Sequence, residues 1–192
     1  MPPKKKAAMK STKILIMEHK LILQALSHLF SAKERLEKDE RPPVEFFRMA
    51  IDFFQNFADV YHHFKEEYLM FGLLAGKKRG EMDMEIGMLR YEHDRCRNYI
   101  AEMENSLDGY GDNDEIATVT LLENLSPYIS LLKRHIHKEN TIFLRMVDGE
   151  LSEEEDQRLV ERFNDEGEKM QGIDFMEQNV ELVQEMAEIV KK

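Results

Sequence analysis

Apolar positions recur along most of the chain at three- and four-residue intervals, the spacing of one face of an α-helix. The first helix is predicted over about Thr12–Lys38, broken by Asp39–Pro43 with its two prolines. The second runs from about Pro43 to Leu74 and ends in the Gly76–Gly80 stretch. The third covers about Glu81–Leu107, closed by an Asp108–Asp112 loop that holds two glycines. The fourth spans about Asn113–Val147, where Pro127 predicts a kink or a delayed start. Asp148-Gly149 then stops the chain, and Ser152 followed by Glu153–Glu155 reads as the capped start of a shorter fifth helix. A last amphipathic helix is expected over about Ile173–Val190. Four long helices with short connections predict an all-α, up-down-up-down four-helix bundle over residues 12–147. Residues 148–192 form an acidic helical extension, packed on the bundle or partly detached, and residues 1–11 a basic disordered tail.

Composition agrees with this reading: among 192 residues only nine Gly and five Pro stand against thirteen Met and eleven Phe. An apolar fraction of 42% is enough for a core. The net charge of −11 is uneven, because residues 148–192 hold 15 acids and five bases while residues 1–13 hold five Lys and no acid. Such acidity argues against nucleic acid as a partner, and the acidic C-terminal helices are the expected surface for any protein partner. No apolar run approaches the roughly 18 residues that span a bilayer, and no secretion core follows the basic N-terminus, so neither membrane nor signal peptide is expected. Cys96 is the single cysteine, no intrachain disulfide is possible, and a cytoplasmic location is the expectation.

The candidate chemistry lies in the histidines. On a helical wheel His19 shares its face with Leu15, Ile22 and Leu26, whereas His28 lies about 180° away. His93 shares a face with Ile86, Leu89, Cys96 and Ile100. In the fourth helix the apolar face is centred on Leu132; His135 lies about 60° and Glu139 about 20° from that centre, His137 about 140°. The second helix offers two registers, His62/Glu66 and His63/Glu67. With its apolar face centred on Phe57, Glu67 falls about 80° and Glu66 about 180° away, which favours His63 and Glu67. Four helices thus each turn one His inward, and two of them add a Glu one turn on. Buried carboxylates need a counter-charge, and no Lys or Arg shares those faces. A pair of metal ions meets the need, and imidazole with carboxylate suits iron, manganese or zinc.

The order His19, His63-Phe-Lys-Glu-Glu67, Glu92-His93, His135-Ile-His-Lys-Glu139 resembles the hemerythrin-like cation-binding domain, over about Thr12–Phe163. The resemblance implies a non-haem di-iron centre. His19 and His63 would hold one iron, His93 and His135 the other, with Glu67, Glu139 and an oxo group bridging the two ions. Oxygen-carrying relatives place a second His four residues from the first on the third helix; here those positions are Leu89 and Arg97. They also use an Asp five residues after the fourth-helix His, where this chain has Glu139 one residue earlier. Six protein ligands leave coordination incomplete, which lowers reversible oxygen transport and raises binding, sensing or reduction of a small oxidant such as dioxygen, peroxide or nitric oxide. A non-catalytic iron-sensing module acting through the C-terminal helices is the alternative, as is a bare scaffold.

Each ligating His needs a second acceptor for its other ring N–H. Glu18 and Glu92 immediately precede ligands but point elsewhere on the wheel and stay unassigned. Tyr128 and Cys96 share the core face and read as packing. No Gly-x-Ser-x-Gly, P-loop or dinucleotide-binding glycine pattern occurs, and no catalytic residue is assigned.

Overall fold

The helical periodicity is realised in six rods of a computed structural model that describes residues 8–75, 77, 80–172 and 174–191. Helix α1 is Lys10–Leu36. Helix α2 is one rod over residues 44–74: α-helical Val44–Phe53, π-helical Phe54–His63 and Lys65–Met70, then α-helical Phe71–Leu74. Helix α3 is Asp83–Gly111. Helix α4 runs from Glu115–Lys138 through a π-helical Glu139–Phe143 into Leu144–Glu150. Helices α5 and α6 are Glu153–Gln171 and Phe175–Val190. Among the described residues there is no strand, and no helix is long and apolar enough to cross a membrane.

Several ends differ from the wheel-based expectation, each for a local reason. Helix α1 starts at Lys10 because carboxylates from elsewhere cap it. Asp148 accepts from the Met9 N–H (2.9 Å) and Thr12 Oγ1 (2.8 Å), and Asp156 accepts from the Lys10 and Ser11 N–H groups (2.9 and 3.0 Å). Of the tail expected over residues 1–11, residues 1–7 lie outside those described, while Ser11 is helical and fully buried. Helix α3 continues past the expected loop because Tyr110 is buried against Phe47 and donates its O–H to the Pro42 carbonyl. The turn follows at Asn113, whose φ of 63° is left-handed, and Asp114 caps α4 by accepting from the Ile116 N–H. Pro127 therefore sits inside a continuous helix rather than at its start. Ser152 and Glu155 form the reciprocal capping box that opens α5.

Both C-terminal helices pack on α1 and α2. Val183, Met186 and Val190 of α6 join an apolar cluster with Ile22, Phe53 and Phe57. Leu159 and Phe163 of α5 join a second cluster with Leu15, Phe71, Leu89 and Phe143. The extension is thus part of the packed body. Three bundle helices pass from one cluster to the other at a candidate ligand: Leu15 to Ile22 across His19, Leu89 to Cys96 across His93, Ile136 to Phe143 across Glu139. The polar layer so formed is walled by hydrocarbon at both ends.

Candidate metal centre

Helix α2 decides the composition of that layer. Its backbone bonds reach five residues back, as from the Phe64 N–H to the Asp59 carbonyl and from the Phe71 N–H to the Glu66 carbonyl. A π-turn is wider than an α-turn, and each residue advances about 80° rather than about 100°. Nine steps from Phe57 then bring Glu66 back to the Phe57 side instead of opposite it. The same widening turns both His62 and His63 inward; they are 1% and 4% exposed.

The result is two groups of ligand atoms, each with all members within 4.8 Å of one another. One comprises His63, Glu66, His93 and His135; the other His19, His62, Glu66 and Glu139. Five of the six residues singled out from the sequence (His19, His63, His93, His135 and Glu139) are brought together here. Glu67 is not among them: Glu66 supplies the carboxylate of α2, and His62 joins as a fifth imidazole. The gap left by Leu89 and Arg97 on α3 is filled from α2, since the His63 ring stacks on His93 at 3.8 Å between centroids. The donor set is therefore larger than the four imidazoles and two carboxylates expected.

Glu66 is common to both groups. Its Oε1 lies 3.6 Å from His62 Nε2 and 3.9 Å from His19 Nε2, and its Oε2 lies 3.5 Å from His93 Nε2. Glu139 spans the same gap from the other side, with Oε2 3.2 Å from His19 Nε2 and Oε1 3.2 Å from His135 Nε2. Among the described residues, the fully buried side-chain oxygens with no well-formed hydrogen bond are the four of Glu66 and Glu139. The Nε2 atoms of His19 and His62 face each other at 2.9 Å, and those of His93 and His135 at 3.0 Å. Lone pairs and carboxylate oxygens converging in a dry layer call for cations. In metal-free form, burial and the neighbouring Glu139 push the Glu66 carboxyl well above its ordinary value. Burial pushes Glu139 the same way, but the His135 and His19 imidazoles outweigh it and hold this carboxyl low.

Behind the inner ring every Nδ1 finds an acceptor, which aims Nε2 at the centre. Because a carboxylate only accepts, the ring N–H donates. His62 donates to Glu18 (2.8 Å), His135 to Glu92 (2.8 Å), His93 to Glu67 (2.7 Å) and His63 to Asp59 (3.1 Å), while His19 meets the amide oxygen of Asn140 (2.8 Å). Glu18 and Glu92 do point away from the ligands they precede; they reach the histidine of a neighbouring helix instead. Glu67 has the same supporting place. Cations brace these carboxylates in turn: Lys65 on Glu18, Lys138 on Glu92 (2.7 Å), Arg97 on Asp59 and Glu67. Burial and the neighbouring His19 lower His62 to about 3, whereas Glu139 and Glu92 overcome burial and raise His135 to about 9.

A cavity of about 300 Å³ between α2 and α3 reaches His63, lined by Phe54, Ala58, Ile100, Tyr128 and Cys96, with Asp59 and Arg97 at its polar side. Burial pushes the Cys96 thiol up to about 12, consistent with a packed, unreactive thiol. His137 is exposed and His28 half-buried, both outside the two groups.

The doublets His62-His63 and Glu66-Glu67 carried the missed information, since both registers were present. The model of the family described as the hemerythrin HHE cation binding domain matches residues 10–147. No curated protein and no solved structure matches the chain.

Proposed function

The chain belongs to the hemerythrin HHE cation-binding domain family through residues 10–147, and from that premise we propose that it is a non-haem di-iron protein whose centre binds, senses or reduces a small oxidant. Dioxygen, peroxide and nitric oxide are the candidate ligands. The observation that carries this reading is the double placement of Glu66 and Glu139. Each offers one oxygen to either imidazole group, and all four oxygens lack hydrogen bonds. One cation would leave half of these donors idle; two cations would use them all, with Glu66 and Glu139 each offering an oxygen to either group. Imidazole with carboxylate is a ligand set suited to iron.

Bound iron would supply the electrons and the place where the small molecule binds. The chain's own residues do the rest. His19, His62, His63, His93 and His135 would offer Nε2 to the metal, a tautomer set by the acceptors at Nδ1. The two apolar clusters exclude water from both ends of the layer. The cavity gives an uncharged small molecule an apolar approach to His63.

A second reading, an iron-sensing module that reports through its C-terminal helices, is favoured by one contact chain. Lys65, which braces Glu18 behind His62, lies 3.4 Å from the Tyr61 ring centroid and 5.8 Å from that of Phe163 in α5. Anaerobic purification, a metal count and visible spectra before and after air test both readings. Two irons per chain and a ferric spectrum developing in air support the redox reading. An oxygenated form that reverses on degassing supports a carrier instead. Loss of partner binding with intact iron after deletion of residues 151–192 supports the sensor. A chain that refuses iron on reconstitution sinks all three.

A further inference from the structure

Three cations brace the carboxylates behind the imidazoles, and they are not equivalent. Lys65 serves Glu18 and Lys138 serves Glu92. Arg97 serves two such carboxylates at once. Its Nε donates to Asp59 Oδ1 and Oδ2 at 2.9 and 3.1 Å, and its Nη2 lies 2.8 Å from Asp59 Oδ1 and 2.6 Å from Glu67 Oε1. Asp59 accepts from His63 and Glu67 from His93, the two rings that stack with an interplanar angle of 12°. Arg97 lies four residues after His93, one helical turn along α3.

We propose that Arg97 is a positioning clamp: one guanidinium joins Asp59 of α2 to Glu67 of α2 and, through them, locks the stacked His63 and His93 imidazoles in the orientation that completes the three-histidine group. A planar fork with several N–H donors holds two carboxylates in fixed relation; a lysine ammonium, a point charge on a flexible stem, does not. Without the guanidinium, Asp59 and Glu67 face each other as like charges. Either then swings towards water, and its imidazole loses the partner that fixes tautomer and ring angle. The stacked pair is where this matters most, because His63 comes from a π-turn of α2 rather than from α3. Nη1 meets Asp94 at 2.8 Å, so each of the three guanidinium nitrogens meets a carboxylate.

The clamp's effect on metal affinity rests on the dinuclear reading above; its effect on the imidazoles does not. The test therefore has two arms, on the full chain and its Arg97→Met and Arg97→Lys variants. In metal-free protein, the Nδ1–H proton resonances of His63 and His93 should shift or exchange away in Arg97→Met, with those of His62 and His135 in place. Titration with cobalt(II) should show two equivalents in the parent chain. In Arg97→Met one equivalent binds unchanged and the other about 10–100-fold more weakly, the usual cost of losing an outer partner. Arg97→Lys should fall between. Unmoved Nδ1–H resonances in Arg97→Met overturn the clamp, as does equal weakening of both equivalents. A parent chain that binds no cobalt overturns the dinuclear reading, and the resonances still decide the clamp.

Discussion

On the side of His63, His93 and His135, every Nδ1–H meets a carboxylate, and Arg97 or Lys138 pins each of those carboxylates. On the side of His19 and His62, only His62 meets one, Glu18, and His19 meets the neutral amide of Asn140. A carboxylate behind an imidazole fixes its tautomer and raises its basicity; an amide fixes the tautomer and adds little charge. The same donor type is thus tuned twice within one layer. The three-histidine side offers three imidazoles, each backed by a carboxylate; the two-histidine side offers two, one of them backed only by an amide.

The largest change expected is removal of metal from both sides together. With metal 100-fold above its dissociation constant, each position adds about 2.7 kcal/mol, so two contribute about 5 kcal/mol. For a chain of this length that is a fall in Tm of about 10–20 °C on chelation, read by calorimetry with and without chelator. An unchanged Tm would mean that neither side holds an ion.

Next comes the contrast between neighbouring carboxylates. Glu66→Ala removes the oxygen pair shared by both sides and should weaken both positions by at least about 100-fold, the upper end of outer-partner losses. Glu67→Ala removes only the acceptor behind His93 and should weaken one position by about 10–100-fold. Metal titration of the two variants separates them; equal losses would erase the distinction between bridging and supporting roles.

Asn140→Asp makes the two sides alike by placing a carboxylate behind His19. About tenfold tighter binding at the weaker position is expected, with no change at the other. A mutant that still titrates as unequal sites would show that the number of imidazoles, and not their outer partners, sets the difference.

The last contrast is in pH. In metal-free protein His62 is held down to about 3 from 6.5. It stays neutral folded while it protonates when unfolded, so its contribution is present above pH 6.5 and is lost as pH falls towards 3. His135, raised to about 9, has the opposite sign: its contribution is present below pH 6.5 and is lost as pH rises through 9. Thermal unfolding of chelated protein should therefore weaken on both flanks, with His62→Gln flattening the acid flank alone.

Much of the candidate site is legible from helical spacing. His19, His93, His135 and Glu139 lie on regular α-helical faces up to the ligand, and the wheel places them inward, as the structure does. Helix α2 is where the wheel misleads. From Phe54 onward its turn widens, and an angle accumulated at 100° per residue over nine residues puts Glu66 on the wrong side. The outer partners escaped for a different reason. Glu18 and Glu92 serve histidines 44 and 43 residues away, on other helices, and no single-helix projection contains such a pair.

The chain by itself determined that this is an all-α bundle, where each long helix lies within a few residues of its ends, and that histidines from all four converge with carboxylates on one level. Those properties follow from short-range periodicity, caps and breakers, which act within one or two turns. Tertiary structure alone decided that α2 takes π-turns and delivers two histidines and Glu66, that Arg97 joins Asp59 and Glu67 behind His63 and His93, and that the acidic extension closes over α1 and α2. These depend on contacts between residues far apart in sequence. Their free energy outweighs the local preference for a uniform α-helical turn.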